Sequence, residues 1–148
     1  MTTIAYKDGI IAADGRATSG YEITEDNYEK MMCVDGVMFF LSGSICDFEN
    51  FIECYLMGAK PTKGNETAAF VFEDGKLFKA AICSYHGFWK RKLNMKNNYA
   101  IGSGEQYALS AMDCGMSAKE AVEQAAKRDT MTGGIITEYN LVEMAKSK

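Results

Sequence analysis

A chain of 148 residues, 47% hydrophobic and 24% charged, is long enough to bury a core without disulfide staples and has the balance of a globular protein. A net charge of −4 and a sequence pI near 5.1 argue against a nucleic-acid partner, which asks for a basic surface. No stretch approaches the ~18 consecutive apolar residues of a membrane span, and no signal-peptide pattern opens the chain.

In chain order, three Asp-Gly pairs (Asp8-Gly9, Asp35-Gly36 and Asp74-Gly75) each sit between apolar runs, the strongest short-range signal for a hairpin. They join residues 3–6 to 10–13, 31–34 to 37–41, and 67–72 to 76–82. Further strands are expected at 88–93, 99–101 and 135–141. Phe48, Phe51, Ile52, Tyr55 and Leu56 recur at helical spacing, with Asp47 as a cap and Gly58 as a stop. A second helix is expected over 105–114, ending at Gly115. A third opens with Ser117-Ala118-Lys119-Glu120, a capping box, and closes near Lys127 and Arg128, whose charges suit the end of a helix dipole. Hairpins, a helix, hairpins, two helices and a last strand make an α+β order, with no linker or repeat to divide residues 1–148.

The five cysteines (Cys33, Cys46, Cys54, Cys83 and Cys114) are odd in number, scattered, and include no C-x-x-C pair. Neither a disulfide framework nor a metal site is indicated, and a reducing cytoplasm is the expected setting. They read as small hydrophobes in the core, with Cys46 either filler or part of a pocket wall. His86, in Tyr85-His86-Gly87, reads as a turn or surface residue, and Lys90-Arg91-Lys92 as a solvated strand end. No cofactor is indicated.

The sharpest feature is Thr2, directly after the initiator Met1. Once Met1 is trimmed, Thr2 carries both a nucleophilic hydroxyl and a base, its own α-amine, which titrates near pH ~7.7–8.0. Around it lies an ordered set of short motifs: Thr2-Thr3, the Asp8-Gly9 turn, Asp14-Gly15-Arg16-Ala17-Thr18, Glu29-Lys30-Met31, and Ser42-Gly43-Ser44. The set continues with Ala100-Ile101-Gly102-Ser103-Gly104 and Arg128-Asp129-Thr130-Met131-Thr132-Gly133-Gly134. In this set the chain resembles the proteasome β subunits and the HslV peptidase, N-terminal-nucleophile (Ntn) hydrolases, over most of its length.

That resemblance implies a four-layer αββα sandwich of two antiparallel sheets. One helical layer is reduced here, because residues 58–66, with the sole Pro61, are too few for a second covering helix. An apolar face would then be thinly covered by its own chain. The resemblance further implies roles. Thr2 is the nucleophile, Lys30 the cation beside it, and Asp14 the partner of that lysine. Gly43 supplies the oxyanion-hole N–H, while Ser103, Asp129 and Thr132 support the terminal amine. Thr18 and Ser19 would pair with an extended peptide, and Met32, Leu41 and Ile45, with Glu49 beside them, would line a specificity pocket. Taken singly, each has a plainer reading: Thr2 as a strand residue, Lys30 as a strand-edge charge, Gly43 as a turn, Asp129 as a loop cap. Two functions stay open. One is a threonine-type peptidase acting on peptide or unfolded protein as a homo-oligomer, with an unfoldase partner implied by the HslV likeness alone. The other is a catalytically silent Ntn-fold structural or interaction protein that keeps Met1.

Overall fold

A computed structural model describes residues 2–146. Its elements in chain order are β1 (Thr3–Lys7), β2 (Ile10–Ala13), β3 (Ala17–Ser19), β4 (Glu22–Glu25), β5 (Met31–Val34), β6 (Val37–Ser42), a 3-10 turn (Ile45–Asp47) and α1 (Phe48–Met57). There follow β7 (Ala68–Glu73), β8 (Lys76–Cys83), β9 (Gly87–Lys92), β10 (Tyr99–Gly102), α2 (Glu105–Asp113), α3 (Ala118–Ala126), β11 (Thr137–Asn140) and α4 (Leu141–Lys146). Every strand pairing is antiparallel, and the fold is α+β. The chain forms two compact units, one of residues up to Lys30 and from Asn94 onward, the other Met31–Leu93.

The three Asp-Gly hairpins form as expected. Asp8, Asp35 and Asp74 have φ of 50°, 52° and 52°, and the following glycines 81°, 78° and 74°. Two successive left-handed residues make the type I′ turn, whose twist matches that of the strands it joins.

In the first unit a four-stranded sheet runs β10-β1-β2-β11, and β3-β4 forms a separate two-stranded ribbon. Ala5 and Ala12 face each other across β1 and β2 and pack against Ala108, Ala111 and Met112 of α2 and Ala118, Ala121, Val122 and Ala125 of α3. Mostly small side chains on both surfaces let helices and sheet approach closely, so dispersion contacts are dense. The Ser117 side chain accepts from the Glu120 N–H at 3.1 Å while the Glu120 carboxylate accepts from the Ser117 N–H at 3.0 Å, the capping box read from the sequence. Lys127 caps the far end of α3, so Lys127 and Arg128 lie just past the last turn rather than within it.

The chain end departs from expectation. A strand over 135–141 was expected; β11 stops at Asn140 and α4 begins at Leu141. Asn140 is the reason: its side-chain oxygen accepts from the Glu143 N–H at 3.2 Å, a helix N-cap ahead of the helix formers Leu141, Glu143, Met144 and Ala145.

The second unit is a five-stranded meander, β5-β6-β7-β8-β9, with α1 beside it. Phe39 meets Phe51 and Tyr55 edge-on at 6.5 and 5.3 Å between ring centres, and Phe88 joins both at 5.8 and 6.1 Å. Residues 58–67 hold no helix. Asn65 pins that segment, its amide donating to the Asp47 carbonyl at 3.2 Å and to Asn50 Oδ1 at 2.9 Å. The expected bare apolar face is partly closed by Lys90, whose ammonium lies 4.7 Å from the Tyr55 ring centre and 4.8 Å from that of Phe78. The cysteines are less uniform than expected: Cys54 is buried, but Cys33, Cys46 and Cys114 are exposed. Cys46 is therefore not core filler; its thiol lies 3.2 Å from the Ser44 hydroxyl on the open turn before α1. Among the described residues no helix is long and apolar enough to cross a membrane.

Candidate active site

Strand β1 delivers Thr2 to the end of the first unit's sheet, and β2 delivers Asp14 beside it: Ile4 pairs with Ala13, the Asp14 N–H donates to the Thr3 carbonyl at 3.3 Å, and Thr2 lies one residue beyond. Lys30 arrives from the end of the segment after β4 and completes a closed group. The Thr2 hydroxyl donates to Asp14 Oδ1, and the Lys30 ammonium donates both to Thr2 Oγ1 and, at 2.6 Å, to the same Asp14 oxygen. Asp14 is saturated: Oδ1 also accepts the Thr3 N–H at 3.1 Å, and Oδ2 accepts the Gly133 N–H at 2.9 Å and the Arg16 N–H at 3.4 Å. Side-chain exposure is 6% for Lys30 and nil for Asp14, so the ion pair is screened little by solvent. Burial holds the Lys30 ammonium below its ordinary pKa, against the opposing pull of Asp14. A lysine so placed gives up a proton more readily than one in water.

Beside this triad lies a second group. The hydroxyl of Thr132 donates to Asp129 Oδ2 at 2.6 Å and that of Ser103 to the same oxygen at 2.5 Å. Because Thr132 spends its one proton on Asp129, Thr3 must be the donor in the 2.7 Å contact between the Thr3 and Thr132 hydroxyls. The chain thus runs Thr3 to Thr132 to Asp129, with Ser103 closing from the other side and lying 3.4 Å from the Thr2 carbonyl. Burial raises the Asp129 carboxyl, but the hydrogen bonds from Ser103, Thr132 and the Met131 N–H together bring it below its ordinary pKa. A carboxyl depressed by folding stabilises the protein above its unfolded pKa of ~3.9, and that stability is lost as pH falls through the folded value. Asp129→Asn should therefore flatten the acid limb of a thermal-stability profile below about pH 4. An unchanged limb would show that these bonds do not favour the charged form.

The loop carrying Asp129 is held to the Asp14 segment by contacts that no sequence motif announced. The Arg16 guanidinium donates to Asp26 Oδ1 at 2.9 Å and to the Thr130 carbonyl at 3.1 Å, and lies flat on Gly133. A Cβ at Gly133 would come within 2.5 Å of the Arg16 guanidinium carbon, so a side chain there would push the guanidinium aside, while the Gly133 N–H bonds Asp14. Among the described residues no buried side-chain nitrogen or oxygen lacks a partner.

The structure thus brings Thr2, Asp14, Lys30, Ser103, Asp129 and Thr132 together in one unit. Thr18 and Ser19 lie in the same unit on β3, with the Thr18 hydroxyl donating to the Met131 sulfur at 3.6 Å. Gly43, Met32, Leu41, Ile45 and Glu49 belong to the second unit. There Gly43 follows β6 with φ 141°, in the region that favours glycine, and a Cβ would press on Thr67 Cα at 3.3 Å. Leu41 is buried in β6, Met32 and Ile45 are partly exposed, and Glu49 is exposed. Thr3, Arg16, Asp26 and Gly133 were not among the expected site residues. Thr3, Arg16 and Gly133 stood inside quoted motifs, whereas nothing marked Asp26. Among the described residues no group of three or more His, Cys, Asp or Glu side chains is placed to hold a metal ion.

No family model matches the chain. It is similar to the proteasome subunit beta type-8 of Canis lupus familiaris, 27% identical over 184 residues that take in 96% of this chain and 65% of that protein. The chain therefore spans a little under two thirds of the length of the curated relative it matches. The matched stretch is longer than the chain itself, so the relative carries residues without a counterpart here. The likeness suggests a proteasome-like family.

Proposed function

We propose that the protein is a threonine-type peptidase of the Ntn class, with Thr2 as nucleophile once Met1 is removed. Met1 lies outside the described residues. The observation that carries this reading is the contact of the Thr2 hydroxyl with both Lys30 and Asp14 in a nearly water-free setting. In the proposed reaction Thr2 Oγ1 attacks the peptide carbonyl carbon while the freed α-amine accepts its proton. The tetrahedral intermediate collapses, that proton passes to the leaving amine, and an ester to Thr2 remains. Water then opens the ester and regenerates Thr2. The Lys30 charge favours the less protonated forms of the amine and the hydroxyl. Asp14 keeps that charge buried at a tolerable cost. Gly43 is assigned the N–H that meets the developing oxyanion, a role its absent side chain permits. The Ser103–Asp129–Thr132 group is assigned to hold the terminal amine.

This reading takes residues 1–148 as one domain of the αββα Ntn class with one helical layer reduced. It also takes the active form as a homo-oligomer acting on peptides or unfolded protein, because residues 58–67 hold no second covering helix and Met32, Ile45 and Met57 of the second unit stand exposed. Light scattering at micromolar concentration should report several times 16.3 kDa, and a folded monomer would remove the oligomer from the reading. The function itself is tested by comparing peptide hydrolysis before and after release of an N-terminal extension. The extended protein, whose amine is an amide, should be inactive and the released one active; equal rates would point to a different site.

A further inference from the structure

A groove of about 460 Å3 opens in the first unit between the β3–β4 ribbon and the residues that follow α3. Its composition is uneven. One wall is apolar: Tyr21, fully exposed, and Ile23, half exposed, stand together on the ribbon, with Ala126 and Met131 across from them. The other wall carries Lys127 and Arg128, both exposed. Among the described residues neither takes part in an ion pair, since the two pairs formed are Arg16–Asp26 and Lys30–Asp14. Arg16 also lines the groove, but Asp26 balances it. Asp129, the one carboxylate in the lining, accepts from Ser103, Thr132 and the Met131 N–H, neutral donors that leave its charge in place, so it offsets one of the Lys127 and Arg128 charges. Glu22 and Glu25, on the same ribbon, do not line the groove. The charge left unbalanced is therefore positive.

Cations at the end of α3 would complement its dipole without further purpose. That account leaves unexplained why an aromatic and a β-branched side chain stand in water opposite them. Paired apolar and cationic walls are the complement of an extended segment that alternates acidic and apolar side chains.

We propose that this groove binds peptide segments carrying Asp or Glu beside apolar residues, and so gives the protein a preference for acidic–apolar substrates. The inference rests on the peptidase reading for its biological use but not for its test. The groove shares Asp129 with the hydroxyl chain and Thr18 with strand β3, and Asp129 is joined through Ser103 to the Thr2 carbonyl, so the groove adjoins the candidate site rather than a remote surface.

The test measures binding, not turnover. Fluorescence anisotropy with the Thr2→Ala protein would compare three N-acetylated, C-amidated peptides of one apolar pattern, bearing Glu, Gln or Lys at the alternate positions. With no free terminus, only the side chains differ. Two solvent-exposed charge pairs predict about three- to tenfold tighter binding of the Glu peptide over the Gln peptide at low salt. The gap should narrow as the Debye length falls below ~10 Å above 0.1 M salt. Lys127→Glu/Arg128→Glu should turn the order over in favour of the Lys peptide, and Lys127→Gln/Arg128→Gln should remove the advantage of the Glu peptide. Both sites are exposed, so the variants should fold, and an unchanged circular dichroism melt would verify it. Equal affinities for the three peptides, or an acidic preference that survives the charge reversal, would overturn the proposal. Acidic preference in a protein that hydrolyses nothing would leave the groove standing and remove the peptidase; hydrolysis without preference would do the reverse.

Discussion

Thr2→Ala should lower peptide hydrolysis by on the order of 10⁶, the loss that follows removal of a hydroxyl nucleophile elsewhere. The expectation comes from the covalent route: without Oγ1 there is no atom to form the ester, and neither Lys30 nor Asp14 can replace it. Thr2→Ser should keep a measurable part of the rate, because a hydroxyl still reaches both partners although the methyl that fixes its rotamer is gone. The fold should tolerate both changes, since Asp14 retains the Thr3, Gly133, Arg16 and Lys30 donors. A Thr2→Ala protein as active as the parent would place the chemistry elsewhere.

The second large effect concerns Lys30 and Asp14, which act as a unit. Lys30→Met leaves the Asp14 carboxylate buried without its counter-ion, and breaking a buried pair in this way costs about 3–5 kcal/mol. Asp14→Asn leaves the ammonium in the same position and should cost a similar amount. Lys30→Met/Asp14→Asn, which removes both charges and keeps an amide oxygen for the Thr3 N–H, should regain part of that stability while the rate stays depressed by about 10² or more, the scale of a lost acid–base partner. A double variant that recovered the rate with the stability would make the pair purely structural. The same pair shapes the pH profile. The amine must be free of its proton, so kcat/KM should rise with pH through its titration, at or below its ordinary ~7.7–8.0. The charge on Lys30 must be kept, so the rate should fall as pH passes the lysine's own pKa, which burial places below its ordinary value. Lys30→Met should lose the alkaline limb.

The hairpins were legible because Asp-Gly at a two-residue turn has one preferred geometry and each pair sat between apolar runs. Helix α1 was legible from apolar spacing, α2 as a segment ending at Gly115, and α3 from the Ser117–Glu120 box. The ribbon strand β4 escaped notice because Glu22, Thr24 and Glu25 are polar and all four of its residues are exposed, so no burial pattern marks it. The last helix escaped because a cap such as Asn140 is a single residue, easily outvoted by the β-like run Ile135, Ile136 and Tyr139 before it. At the candidate site, residue types and order could be matched to motifs, but the direction of the hydroxyl chain could not. Thr3 and Thr132 lie 129 positions apart, and Gly133 and Asp14 119 apart. The contact of Arg16 with Asp26 and Gly133 depends on a backbone crossing that neither spacing nor composition encodes.

The most direct test of Thr2 as an N-terminal nucleophile is mass spectrometry of the native protein after reaction with a peptide β-lactone, which a hydroxyl nucleophile opens to a stable ester. The account predicts a chain that lacks Met1 and carries one adduct, located by fragmentation on Thr2. A chain that retains Met1, or an adduct on any other residue, would contradict it.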